Sequence, residues 1–354
     1  VAELLEQLVR TGAVLGLLVC FLPQYPERVV GLIVAGMVLC EVASAVTLTV
    51  LCRLRLRRMG LKGPGEPGRV RRRRVFSIAL PVGLNSLLGN LMGAVNAALV
   101  PQKLVEGGME RAQAISELGV VCGMTLPMLA LPTVFLGAVS LVLVPRLSQA
   151  VALGRPQEVR RKISRALFAV SVLALPAMGM MAVLGEELGV LLFRQEAVGE
   201  YLVPLAAATA LGCYQSVLGA SLNGIGRQGT VAWISLVCDG VQLAFTACLV
   251  GDPRIGMGGF VLGILISTTL GLVLCAWRLR AAAGLKWRIF RWVTAPGLAA
   301  LLSCLVTNLL FQVLRDSGVP VLYRLPGALL FGLVLYLAAL NAQGVTVKGV
   351  FRLE

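Results

Sequence analysis

The chain has 354 residues, of which 58% are hydrophobic and only 14% charged, with a mean hydropathy of +0.87. So apolar a composition excludes an ordinary water-soluble domain, which keeps far more charge on its surface. The formal net charge of +15 would point to nucleic acid in a soluble protein; in a membrane protein, basic loops beside an anionic leaflet explain it, and no nucleic-acid partner is expected.

Ten stretches are long and apolar enough to cross a bilayer: 5–22, 29–52, 75–100, 119–145, 166–184, 201–222, 230–250, 257–277, 292–313 and 325–341. A helix of roughly 20 apolar residues matches the hydrocarbon thickness. In lipid every backbone N–H and C=O must find a partner within the chain, so such stretches fold as helices. The expected fold is an all-α polytopic membrane protein of about ten transmembrane helices. Alternating the loops between the two sides places 24 of the 32 Lys and Arg on one side and 7 on the other, with Arg10 inside a span. The positive-inside rule makes the richer side cytoplasmic, with both termini on it.

The first span carries Glu6 and Arg10, which share a helix face at i, i+4. They either turn together into a polar cavity or lie near the cytoplasmic interface, where Arg10 snorkels. Glu41 sits past the middle of the second span. Segment 53–74 is strongly basic, and its centre, Gly63-Pro64-Gly65-Glu66-Pro67-Gly68, does not suit a helix; it divides the chain. The third span holds Asn85, Asn90 and Asn96, each either a cavity group or an interhelical hydrogen-bonding group. A second basic segment, Arg146–Arg165, reads as an amphipathic surface helix or a solvated connector. Gln215 and Gln242 carry the same ambiguity as the asparagines. Asp239 lies near the centre of the seventh span, where an ionised group is costly and a functional role is the default expectation.

Pro81, Pro127, Pro132, Pro176 and Pro204 fall inside spans, and each removes a backbone hydrogen bond and favours a kink. Kinked helices around an internal space suit a transporter with two alternating openings. The chain has no His, and its nine cysteines form no C-x-x-C pair. They read as small buried hydrophobes rather than a disulfide framework or metal site, and no cofactor is expected. No P-loop occurs, and no soluble insertion is large enough for a catalytic domain, so the chain is not expected to be an enzyme.

Leu143-Val144-Pro145-Arg146-Leu147-Ser148, closing the span that contains Pro127 and Pro132, resembles the end of the eighth helix in the MATE-like polysaccharide exporter superfamily. Ala79-Leu80-Pro81-Val82, opening a span that ends Ala98-Leu99-Val100-Pro101-Gln102-Lys103-Leu104, is similar to that family's seventh helix. Leu222-Asn223-Gly224-Ile225-Gly226-Arg227 resembles the turn after its tenth. Glu6, Gln7 and Arg10 resemble the charged start of its fifth helix, and Glu41 falls where the sixth often carries Glu. Within the superfamily the chain is most similar to the stage V sporulation protein B-like branch, relatives of the lipid II flippase.

The resemblance implies part of a fourteen-helix, two-bundle fold, with about four helices preceding Val1. Residues 1–52 would be the last two helices of the N-terminal bundle, and 53–74 a cytoplasmic linker. Residues 75–280 would be the six-helix C-terminal bundle, and 281–354 two additional helices and a tail. It implies a flippase in the bacterial cytoplasmic membrane that moves a lipid-linked oligosaccharide or peptidoglycan precursor of the polyprenyl pyrophosphate type. Arg10, Glu6, Glu41, Asn85, Asn90 and Gln215 would line the substrate cavity. Asp239 and Asn96 would be the coupling site for sodium or a proton, although many relatives carry an acidic residue where Asn96 stands. The bilayer and envelope-synthesis enzymes are the implied partners. Two further readings are a cation-coupled multidrug exporter of the same superfamily and a non-transporting scaffold for envelope synthesis; a membrane-embedded transferase is disfavoured because no carboxylates cluster beside the basic loops.

Overall fold

The computed structural model describes residues 11–12, 15–16, 19, 29–58, 68–284 and 293–344. Among them every regular element is helical, and nine helices are long and apolar enough to cross a membrane. The chain is therefore an all-α polytopic membrane protein. Most of the expected first span, with Glu6 and Arg10, lies outside the described residues, as do 59–67 in the linker. The chain divides into two compact units, Val1–Arg73 and Arg74–Glu354.

In the first unit, α1 (Val29–Arg58) is a single long helix. Thr47 and Thr49 return their hydroxyls to the carbonyls of Ala43 and Ala45, at 2.8 and 2.7 Å, so neither needs a partner on another helix.

α2 (Gly68–Glu106) begins just before the boundary and takes in Arg69–Arg74, so helix extends into the basic linker. Its far end docks closely on the turn at residues 250–256: a Cβ on Gly107 would stand 2.9 Å from the Gly251 carbonyl oxygen. Next, α3 (Arg111–Leu118), a π-helical segment (Gly119–Thr125) and α4 (Leu126–Ala152) follow without a break. The wide turn precedes Pro127, whose ring denies a hydrogen bond to the turn before it. Thr125 Oγ1 donates to the Val120 carbonyl at 3.0 Å, inside the protein, and helps satisfy the disturbed ladder.

α5 (Pro156–Phe193) starts ten residues ahead of the expected span. The segment Arg146–Arg165 is thus neither a surface helix nor a solvated connector. α4 runs on to Ala152, the chain turns through Leu153–Arg155, and α5 rises at once. Leu147, Val159 and Ile163 are buried, and that apolar stripe draws the segment into the bundle. Arg155, Arg160 and Arg161 stay exposed, while the half-buried Lys162 pairs with Glu158 at 2.7 Å and donates to the Arg146 carbonyl at 3.3 Å.

α6 (Ala197–Gly224) lies against α5, and Ser171 Oγ and Tyr214 Oη share a 2.7 Å hydrogen bond between them. Near the opposite end Tyr201 donates to Glu117 of α3 at 2.7 Å. The C-terminus of α6 closes with Arg227 N bonded to Leu222 O and Gly226 N to Asn223 O, the paired pattern of a helix that ends on a left-handed residue. Gly226 takes that position at φ +82°, which a β-carbon would strain.

α7 (Gln228–Leu249) and α8 (Met257–Ala283) form a close pair. On α8, Gly259, Gly263, Ser267, Gly271 and Cys275 recur every fourth residue and are all buried. A Cβ on Gly259 would come within 2.8 Å of Leu249 Cβ, and one on Gly263 within 3.0 Å of Phe245 Cβ. Lipid tails are as apolar as Leu, so helices in a bilayer associate through such close packing rather than through exclusion of water.

α9 (Ala295–Asp316) and α10 (Val321–Ala342) dock on α5. Ser303 donates to the Gly332 carbonyl at 2.6 Å, Tyr336 to the Val172 carbonyl at 2.9 Å, and Arg324 pairs with Glu187 at 3.2 Å. Two large buried clusters fill the second unit. One centres on Met128, Leu184, Leu202 and Leu205, and the other on Leu143, Leu147, Ile163 and Leu222.

Candidate functional site

Asp239, Gln242 and Thr246 stand at i, i+3 and i+7 on α7, hence on one face of the helix. That face looks onto the small-residue stripe of α8. Gly263 leaves room for the Gln242 amide, whose atoms would stand 3.1 Å from a Cβ placed there. The amide is held firmly: its nitrogen donates to the Phe260 carbonyl at 3.2 Å, and its oxygen accepts from Ser267 Oγ at 3.2 Å. From α2, Asn96 Oδ1 accepts from Thr246 Oγ1 at 3.1 Å. The result is a cavity of about 230 Å³ whose lining includes Asn96, Gln215, Asp239, Gln242, Ser267 and Thr268.

Among the described residues no lysine or arginine lines this cavity and no basic side chain pairs with Asp239. A carboxylate that shares a cavity with neutral amide and hydroxyl groups offers hard oxygen donors, of the kind that attract a small cation. Gln215 also lines a second, larger cavity of about 810 Å³ between α4, α6, α7 and α8. Its polar lining is neutral, with Ser140, Ser216, Asn223 and Ser235 among apolar neighbours. Ser140 Oγ is buried there with no hydrogen-bond partner. Gln215 is therefore the side chain shared by the charged cavity and the neutral one.

The expected site residues fare differently. The structure brings Asn96, Gln215 and Asp239 together, from three helices. Asn85 is half-buried and Asn90 exposed, and neither lines the cavity that holds Asp239. Glu41 is exposed on α1, in the other unit. Arg10 and Glu6 lie outside the described residues.

The motif residues are joined as well. Ser148 Oγ donates to the Gly224 carbonyl at 3.0 Å. Gly224 allows the approach, since a Cβ there would be 2.8 Å from Leu147 Cβ and 3.2 Å from the Val144 carbonyl oxygen. The closing run of α4 and the turn after α6 therefore form one contact, although they are distant in sequence. The model of a known family, "Lipid II flippase MurJ", matches residues 124–326, more than half of the chain and all of α4 through α9.

The chain belongs to the lipid II flippase MurJ family. Among curated proteins it is similar to stage V sporulation protein B of Bacillus subtilis (strain 168), 23% identical over 279 residues, covering 78% of this chain and 54% of that protein. It is also similar to sporulation protein YkvU of the same organism, 22% identical over 193 residues, covering 54% of this chain and 43% of the relative. The chain thus spans about half the length of the curated relatives it matches. The MurJ match contains Gln215, Asp239, Gln242 and Ser267, whereas Asn96 falls outside it.

Sequence reasoning missed Ser267, Thr268 and Ser140 as cavity residues, and Thr246 as the partner of Asn96. Isolated hydroxyl residues within apolar spans give little signal, because most return their proton to their own helix. The fourfold recurrence on α8 was the available clue: a serine inside a glycine stripe faces a neighbouring helix rather than lipid.

Proposed function

We propose that this protein moves a lipid-linked saccharide precursor, of the polyprenyl pyrophosphate type, from the inner to the outer leaflet of the bacterial cytoplasmic membrane. The reading rests above all on Asp239: an unpaired carboxylate, ringed by neutral oxygens, in the middle of a membrane-spanning helix. Membership of the MurJ family and similarity to stage V sporulation protein B support it. A residue so costly in lipid persists where it meets a cation or water. In this reading Asp239 takes up sodium or a proton, with Asn96, Gln242 and Ser267 supplying neutral oxygens around it. Its charge changes as the cation enters and leaves, and that change biases the bundle between its two openings.

No covalent bond is made or broken. The lipid tail stays in the bilayer while the polar head group crosses through the protein. The pyrophosphate needs a cation on its path, because an unpaired anion is prohibitive away from water. Arg10 is the proposed partner, since a guanidinium grips phosphate oxygens with two parallel hydrogen bonds. Glu6, Glu41, Asn85 and Asn90 are proposed further polar positions along the head-group path. The neutral, roomy cavity around Ser140, Gln215 and Asn223 suits uncharged hydroxyl and amide groups. Segment 53–74 joins the two bundles, the two termini face the cytoplasm, and enzymes that build or consume the precursor are the proposed protein partners.

The experiment is leaflet exchange of a fluorescent lipid-linked disaccharide in vesicles that contain the purified protein. Exchange well above that of protein-free vesicles is expected, and it should fall with Arg10→Ala. Exchange no faster than in empty vesicles removes the flippase reading.

A further inference from the structure

Where α4, α6 and α8 end and α5 and α7 begin, three arginines from two different turns gather on one cleft. Arg155 precedes the first turn of α5, Arg160 stands within it, and Arg227 precedes the first turn of α7. All three line a cleft of about 450 Å³ together with Gly154, Gly284 and Ile225. Among the described residues no acidic side chain lines it. Glu158, in the first turn of α5, is already engaged by Lys162 at 2.7 Å and Arg155 at 3.5 Å.

Arg160 is braced for a ligand. Its Nε donates to the Ala283 carbonyl at 2.9 Å, which fixes the guanidinium plane beside Gly284. Gly284, at φ +60°, permits that approach: a Cβ there would stand 3.1 Å from Arg160 Nη2. Arg227 adds a second, exposed guanidinium. Neither α5 nor α7 has a side-chain cap at its start, so backbone N–H groups and the positive ends of two helix dipoles add to the same field. Two guanidinia and oriented N–H groups favour a phosphate over a single carboxylate.

The surroundings decide which phosphate. A neighbouring cleft shares Arg227 and is lined also by Arg278 and Trp233. Trp233 is 69% and Trp277 59% exposed, and the Arg278 guanidinium lies 4.8 Å from the Trp277 ring centre. Exposed tryptophans beside arginines at the ends of spanning helices mark the depth of lipid head groups. Val151 and Leu153, also exposed, offer apolar surface beside the cleft.

We propose that the cleft formed by Arg155, Arg160 and Arg227 binds the phosphodiester of an anionic membrane lipid. The site is separate from the Asp239 cavity, and its occupancy holds the α4–α5, α6–α7 and α8 ends together. The lipid is a resident ligand here, and the proposal stands whether or not the protein moves a saccharide.

The test uses the full chain, purified in detergent after exposure to mixed vesicles of phosphatidylglycerol and phosphatidylcholine. Retained lipid is counted by native mass spectrometry. Phosphatidylglycerol should be retained in preference to phosphatidylcholine, and Arg227→Gln and Arg160→Gln should each weaken its retention about tenfold, the size expected for loss of one charge-assisted hydrogen bond. Among the described residues Arg227 has no side-chain hydrogen-bond partner, so its variant separates binding from folding. The double variant Arg254→Gln, Arg315→Gln, at the opposite helix ends, should retain lipid normally. Unchanged retention in both single variants, or equal loss in the opposite-end control, overturns the site. Inorganic phosphate that raises the melting midpoint as much as phosphatidylglycerol does, through the same arginines, overturns the lipid as its occupant.

Discussion

Asp239 and Asn96 show how much a single atom changes at this site. In the cavity they share, Asn96 offers a neutral oxygen where a carboxylate would add a second charge. Two carboxylates close together repel strongly where little water screens them, unless a cation sits between. Asn96→Asp is therefore expected to tighten cation binding and to destabilise the cation-free protein, seen as a larger rise of the melting midpoint on adding sodium. Asp239→Asn should abolish that rise. A second residue-scale case is Arg324, 6% exposed, which pairs with Glu187 and lies 4.4 Å from the Phe311 ring centre. Glu187→Gln leaves the guanidinium buried without its counter-charge and should cost about 2 kcal/mol, below the roughly 3–5 kcal/mol of a fully enclosed pair because Glu187 is partly exposed. Chemical denaturation in mixed micelles measures it, and Glu187→Leu combined with Arg324→Met should recover most of the loss.

Among the elements, α8 carries the organisation of the site. Its glycine stripe brings α7 near enough for Gln242 to bridge to Phe260 and Ser267. Gly263→Leu should force the pair apart, with a loss of about 1–3 kcal/mol from overpacking and, unlike a merely structural lesion elsewhere, loss of the sodium-induced rise in melting midpoint. Gly297→Leu on α9, where a Cβ meets only Leu175 Cδ1 at 3.7 Å, is the milder control. The spanning helices were legible in the sequence because lipid imposes one period and one length on them. Their ends were less so: Arg146–Arg165 looked polar enough to lie outside the bundle, yet Leu147, Val159 and Ile163 carry helix straight through it. The π turn was hidden too. Pro127 announced a disturbance, but only the Thr125–Val120 bond shows how the ladder absorbs it.

Across the whole molecule, the run of apolar spans and the one-sided charge of the loops made a membrane protein readable, and the order of motifs made the family readable. Asp239 was legible with Glu6, Arg10 and Glu41 as a charge within an apolar stretch, and its place near the centre of its span made it the costliest of them. Its surroundings could not be read, because Asn96, Gln215 and Ser267 come from three helices and only packing decides which faces meet. The contact of Ser148 and Leu147 with Gly224 was likewise invisible as a contact, although both of its halves were visible as motifs. A cation held at Asp239 is proposed to drive the passage of a lipid-linked saccharide. The most direct measurement is the initial rate of leaflet exchange in vesicles carrying the protein, with a sodium or proton gradient imposed in either direction. The rate is expected to follow the sign of one of these gradients in the native protein and to ignore both in Asp239→Asn. A native rate indifferent to both gradients, or an Asp239→Asn rate that still follows one, contradicts it.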